Sequence, residues 1–68
     1  MLKSINQQIV ERNHGGKDIK DILIAEFERA RGTQYLVPSI AIRLQISSQT
    51  LRNWCRDLEI DIEGYTHG

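Results

Sequence analysis

Apolar residues recur along this chain with the period of helices. Leu2, Ile5 and Ile9 fall at helical spacing with Val10 beside them, predicting a first helix over about Leu2 to Asn13. His14-Gly15-Gly16 stops it, because glycine readily takes the left-handed conformation that ends helices. Ile19, Ile22, Leu23, Phe27 and Ala30 then form a stripe flanked by Lys20, Glu28 and Arg29. This is a second helix from about Asp18 to Arg31, with Gly32 as its stop. Neither helix is long, so each needs the other to be stable.

Thr33 to Val37 reads as a short connection, too apolar at Tyr35, Leu36 and Val37 for a solvated loop. Pro38 suits a first helical position, where its missing N–H costs nothing, so a third helix is expected over about Pro38 to Leu44. Ser47 can cap a fourth helix running to about Leu58, with Ile46 and Leu51 as a hydrophobic staple across its start. Ile60-Asp61-Ile62 alternates like a strand but has no partner run, and residues 60–68 read as a tail.

From Ile40 the spacing becomes more specific. Ile40, Ala41, Leu44, Ile46, Leu51 and Trp54 are placed as in a helix-turn-helix, two short helices packed across a tight turn. The fourth helix sorts into two faces. Leu51, Trp54, Cys55 and Leu58 form the buried stripe, which makes Trp54 core rather than a base-stacking aromatic and Cys55 an inert, partly buried thiol. Ser48, Gln49, Arg52, Asn53 and Arg56 lie on the other side, and these residue types hydrogen-bond base edges. Gln49, Arg52 and Asn53, nearest the helix start, are the base-reading candidates. Arg43, Ser48 and Arg56 are the phosphate candidates, which position a protein without reading sequence. Tyr35 is expected in satellite core.

Gly32-Thr33-Gln34, Ile40-Ala41-Ile42-Arg43-Leu44, Ile46-Ser47 and Thr50-Leu51-Arg52 running on to Leu58-Glu59-Ile60-Asp61 resemble the C-terminal DNA-binding domain of Fis and of NtrC-type activators. Phe27 to Gly32 also resembles the end of that family's second helix. The resemblance implies two N-terminal helices that pair with a second subunit and a helix-turn-helix formed by the last two. The chain departs from the family at Gln45 and Glu59, where glycine is expected, and in a longer connection around Tyr35 to Pro38.

Composition narrows the class. Sixty-eight residues make one small domain, which buries only about 60% of its unfolded surface. One cysteine excludes an internal disulfide, and His14, Cys55 and His67 are too widely spaced for a zinc motif. No metal or cofactor is expected. The lone thiol without a signal peptide fits a reducing cytoplasm, with the protein on the nucleoid. No apolar run approaches the roughly 20 residues of a membrane span. Paired carboxylates, a nucleophile–base set and a phosphate-cradling glycine loop are all missing, so neither an enzyme nor a small-molecule substrate is expected.

Net charge is zero, a mark against nucleic acid, but its distribution is uneven. Residues 33–57 carry Arg43, Arg52 and Arg56 against Asp57 alone, and the acids Glu59, Asp61 and Glu63 follow. One copy should bind weakly, which argues for two. Ile24 sits off the stripe of the second helix and, with Ile9 and Val10, is the expected homodimer interface; Ile42 also points away from its helix's apolar side.

The expectation is an all-α, small four-helix domain: residues 1–32 dimerise, residues 33–59 form the helix-turn-helix, and residues 60–68 trail. It should bind double-stranded DNA sequence-specifically in the major groove through the fourth helix, in transcription regulation or DNA architecture. The rivals are an accessory protein of recombination or excision, and a protein-interaction module docking on a polymerase subunit or regulator.

Overall fold

Ser4 opens the part of the chain that the computed structural model describes, residues 4–66. Its hydroxyl accepts from the Gln7 N–H at 3.2 Å while the Gln7 side chain accepts from the Ser4 N–H at 3.3 Å. This reciprocal cap satisfies two otherwise orphaned donors and starts α1, Ile5–Asn13. Leu2, expected within that helix, lies outside the described residues. At the other end the Gly16 N–H donates to the Glu11 carbonyl at 2.8 Å, a closure that uses Gly15 and Gly16 at φ of 74° and 82°.

α2 spans Ile19–Arg29 and is started from two sides. The Asp18 carboxylate accepts from the Lys20 N–H at 3.1 Å, and Glu11 on α1 accepts from the Ile19 N–H at 2.7 Å. One helix thereby fixes where the next begins. Ile19, Ile22, Leu23 and Phe27 are buried, and Ala30 caps the end.

α3 spans Leu36–Leu44, so it begins before Pro38 rather than at it. The proline takes the third helical position. The N–H groups of a first turn have no carbonyl partner within the helix, so proline is tolerated throughout that turn. Tyr35 precedes the helix, its carbonyl accepting from the Ser39 N–H at 2.9 Å; the residue is 65% exposed and not in satellite core.

Between α3 and α4, Ser48–Asp57, the chain turns through Gln45 in the left-handed region, φ 61° and ψ 42°. The Ile46 N–H reaches back to the Ala41 carbonyl at 3.0 Å and the Gln45 N–H to that of Ile42 at 3.1 Å. These are the paired bonds of a Schellman closure. Ser47 caps α4 as expected, accepting from the Thr50 N–H at 3.0 Å. The same closure ends α4: Glu59 has φ 59°, the Ile60 N–H donates to the Cys55 carbonyl at 2.8 Å, and the Glu59 N–H to that of Arg56 at 3.2 Å. The two left-handed residues, Gln45 and Glu59, are the two positions at which glycine is expected.

The expected tail is instead folded. Residues Ile62–Thr66 form a short helix, α5, making five helices among the described residues rather than four. Ile60, Ile62 and Tyr65 pack on the core. The Tyr65 ring lies 5.4 Å from that of Phe27, the Arg31 guanidinium sits 4.7 Å over it, and the Gly32 N–H donates to the Tyr65 carbonyl at 3.0 Å. Arg31 also donates to the Gly64 carbonyl at 3.3 Å. These partners lie far back along the chain, which is why residues 60–66 look unsupported when read locally.

The chain is all-helical: α1 packs on α2, α2 meets α3 and α5, and α3 packs on α4. One apolar core runs through all of them, and no buried side-chain nitrogen or oxygen among the described residues lacks a hydrogen-bond partner. No described helix is long and apolar enough to cross a membrane.

The expected dimer residues separate. Val10 is only 3% exposed and belongs to the core of the single chain, so it offers no surface to a second copy. It sits about 100° around the helix from Ile9, enough to turn one inward and the other outward. Ile24 is half-buried and shares a cleft with Ile60 and Tyr65, so the C-terminal segment approaches it within the same chain. Ile9 and Ile5 remain outside, 44% and 75% exposed, as does Ile42.

Candidate nucleic-acid interface

α4 separates its residues cleanly. Leu51, Trp54 and Cys55 are buried, and Leu58 is half-buried against the same core. Gln49, Arg52 and Arg56 are exposed, whereas Ser48 and Asn53 are half-buried. Ile46 and Leu51 both join the core, so the turn and the first turn of α4 are held to α3 from beneath.

On the outer face Gln49 and Asn53 are joined. The Gln49 Nε2 donates to Asn53 Oδ1 at 3.0 Å, one helical turn apart. The Ser47 hydroxyl donates to Thr50 Oγ1 at 2.8 Å, so the cap and its neighbour are also tied.

The three arginines differ in how free they are. Arg43, on α3, gives its Nε to Glu26 Oε1 at 2.8 Å, and Arg29 Nη2 reaches the same oxygen at 3.2 Å. Arg43 is therefore a member of an ion-paired cluster, although its side chain stays 53% exposed. Arg56 lies 3.6 Å from Asp57 Oδ1 with its side chain 75% exposed, a loose surface contact worth little. Arg52 forms no ion pair with a carboxylate among the described residues.

Glu26 is the residue that the sequence pattern does not single out. It is the buried charged residue of α2, at 8% exposure. Burial pushes its carboxyl up, but the hydrogen bonds from Arg43 and Arg29 and their charges outweigh this and hold it below the ordinary value. The hydrogen bond that Arg43 donates to Glu26, and the Glu26 charge, correspondingly raise Arg43. Its partner Arg43 is seventeen residues away, so no local spacing announces the pair.

Cys55 is buried, and burial pushes its thiol up to about 11 against a weaker downward pull from Arg52. It is chemically quiet at neutral pH. His14 closes α1, its Nδ1 2.9 Å from the Val10 carbonyl, and His67 lies outside the described residues. The chain matches no known protein family, curated protein or solved structure.

Proposed function

We propose that this chain binds double-stranded DNA in the major groove, with α3, the turn at Gln45 and α4 acting as a helix-turn-helix of the Fis and NtrC-activator kind. The observation that carries the reading is the division of α4. Leu51, Trp54 and Cys55 anchor one side in the core while Gln49, Arg52 and Arg56 are presented outward. A short, firmly seated helix with amide and guanidinium groups on its free face has the chemistry that major-groove edges complement.

In this reading Arg52 and the Gln49–Asn53 pair face the bases, and Ser48, Arg56 and the outer edge of Arg43 meet phosphates. The protein works at the nucleoid, in transcription regulation or DNA architecture. Two copies double the arginines and contacts that one neutral copy can offer, and the exposed Ile5 and Ile9 on α1 are the apolar surface for pairing them. The readings in recombination or excision use the same DNA contacts.

A protein-interaction role draws on a different observation, the exposure of Tyr35 at 65% just before α3 and of Ile42 at 76% in its last turn. Titration of a labelled random-sequence duplex at two salt concentrations separates the classes. Binding that weakens steeply with salt supports the DNA reading, because phosphate neutralisation releases counterions. No binding at the lower salt concentration excludes it. Light scattering of the same samples tests the dimer, for which a monomeric mass with and without DNA is the contrary result.

A further inference from the structure

Gln49 and Asn53 share the outer face of α4 but are not equivalent. Gln49 is exposed and Asn53 is half-buried, so the glutamine stands further out and the asparagine sits behind it. The bond between them runs from Gln49 Nε2 to Asn53 Oδ1, 3.0 Å. A glutamine amide has two N–H donors and one carbonyl acceptor. Asn53 takes one donor. What remains on Gln49 is one N–H and one carbonyl oxygen on a single plane.

Resting on the DNA-binding reading, we infer that Gln49 reads an adenine and that Asn53 is the positioning residue that holds its amide plane for that base. The remaining donor–acceptor pair selects among major-groove edges. Adenine offers an acceptor at N7 beside a donor at its exocyclic amine, which matches one N–H and one carbonyl. Guanine offers two acceptors, cytosine one donor, and thymine an acceptor with a methyl group, and none of these satisfies both remaining groups of Gln49. Fixing the amide before contact removes the rotamer freedom that a lone glutamine would lose on binding. Arg52, between the two along the helix and without an ion pair among the described residues, is then left for guanine.

The test starts from a duplex selected by the unaltered protein out of a randomised pool. At one base pair adenine should be preferred by roughly tenfold to a hundredfold, and an adenine analogue with carbon in place of N7 should lose about tenfold there. Gln49→Ala should abolish that preference. Asn53→Ala should blunt the preference at the same base pair and leave the others unchanged. Asn53→Asp retains an acceptor for the Gln49 N–H and should keep the preference, while its added negative charge weakens all duplexes alike. Both residues lie on the surface side of α4, and circular dichroism melts of the variants should overlay.

An Asn53→Ala protein with undiminished adenine preference would overturn the positioning role. So would a change of preference at a different base pair from the one that Gln49→Ala affects, since Asn53 would then be reading a base itself. A chain that binds DNA with no adenine preference refutes this inference and leaves the DNA reading standing, whereas a chain that binds no duplex removes both.

Discussion

Arg43 on α3 and Glu26 on α2 are joined by a 2.8 Å contact between Nε and Oε1, and this carboxylate is almost wholly buried. The pair ties the proposed DNA-facing half of the chain to the helix beneath it. Removing the carboxylate would leave Arg43 and Arg29 without their shared acceptor, but both arginines are half exposed and water can replace it. Glu26→Ala should therefore cost about 1–2 kcal/mol, below the range for a fully buried pair. Its pH dependence is more diagnostic. The folded Glu26 carboxyl lies below its ordinary value of 4.5, so its stabilisation is complete above that value and is lost as pH falls through the lower folded one. Between about pH 5 and pH 2 the unaltered protein should lose melting temperature faster than Glu26→Gln. Parallel slopes would mean the ion pair contributes nothing to stability.

Arg52 and Arg43 should behave differently when truncated. Arg52→Ala should weaken binding to a preferred duplex by about 1–3 kcal/mol, relax preference at one base pair and leave the melting temperature unchanged. Arg43→Ala should lower the melting temperature, because Glu26 loses its closest partner, and should weaken all duplexes alike with a shallower salt dependence. Equal effects of the two on base preference would contradict the assignment of roles.

Gln45 and Glu59 hold left-handed backbone with a Cβ, at φ of 61° and 59°. That conformation costs roughly 1–2 kcal/mol for most residues, against an entropic loss of about 0.5–1 kcal/mol when glycine is fixed there. Gln45→Gly and Glu59→Gly should each stabilise by about 0.5–1 kcal/mol, raising the melting temperature by several degrees in a domain this size. The two sites close different helix ends, so the double variant should show the sum. Destabilisation by either change would place that residue's side chain in an interaction stronger than its strain.

Tyr65 holds the C-terminal segment down. Tyr65→Ala would lose the ring contact with Phe27 and the stacking of Arg31, at a cost of about 1–2 kcal/mol for a half-buried aromatic. Tyr65→Phe keeps both contacts and should melt with the unaltered protein. If Tyr65→Ala melts there too, α5 adds nothing to the fold.

Cys55, with its thiol near 11, should resist iodoacetamide at neutral pH while the chain is folded. In rising urea its alkylation rate should follow the unfolding curve measured by Trp54 fluorescence, because both side chains leave the same core. Rapid alkylation without denaturant would put the thiol at the surface.

The helical stripes of α2, α3 and α4 were legible because burial follows the 3.6-residue period directly, and Ser47 and Gly15-Gly16 gave local stop and start signals. What escaped was decided by distant partners. The first helix turns Val10 inward and leaves Ile5 outside, since the contact with α2 chooses which side of a mixed apolar surface is covered. Pro38 marked a first turn but not which residue of it. α5 has almost no local signature, and it is Phe27, Arg31 and Gly32 that order it. For the candidate site, the outward residues of α4 were legible from spacing. The side-chain bonds of Arg43 to Glu26 and of Gln49 to Asn53 were not, because they depend on rotamers and on a neighbouring helix.

The covering of Phe27 by Tyr65 bears on how the chain emerges from the ribosome. Phe27 is made long before the residue that shields it, and α1 to α3 can collapse around it while that flank is still wet. A nascent chain stalled before residue 60 would lack the ring that meets this flank of Phe27. Docking of the last short helix is the event that covers it.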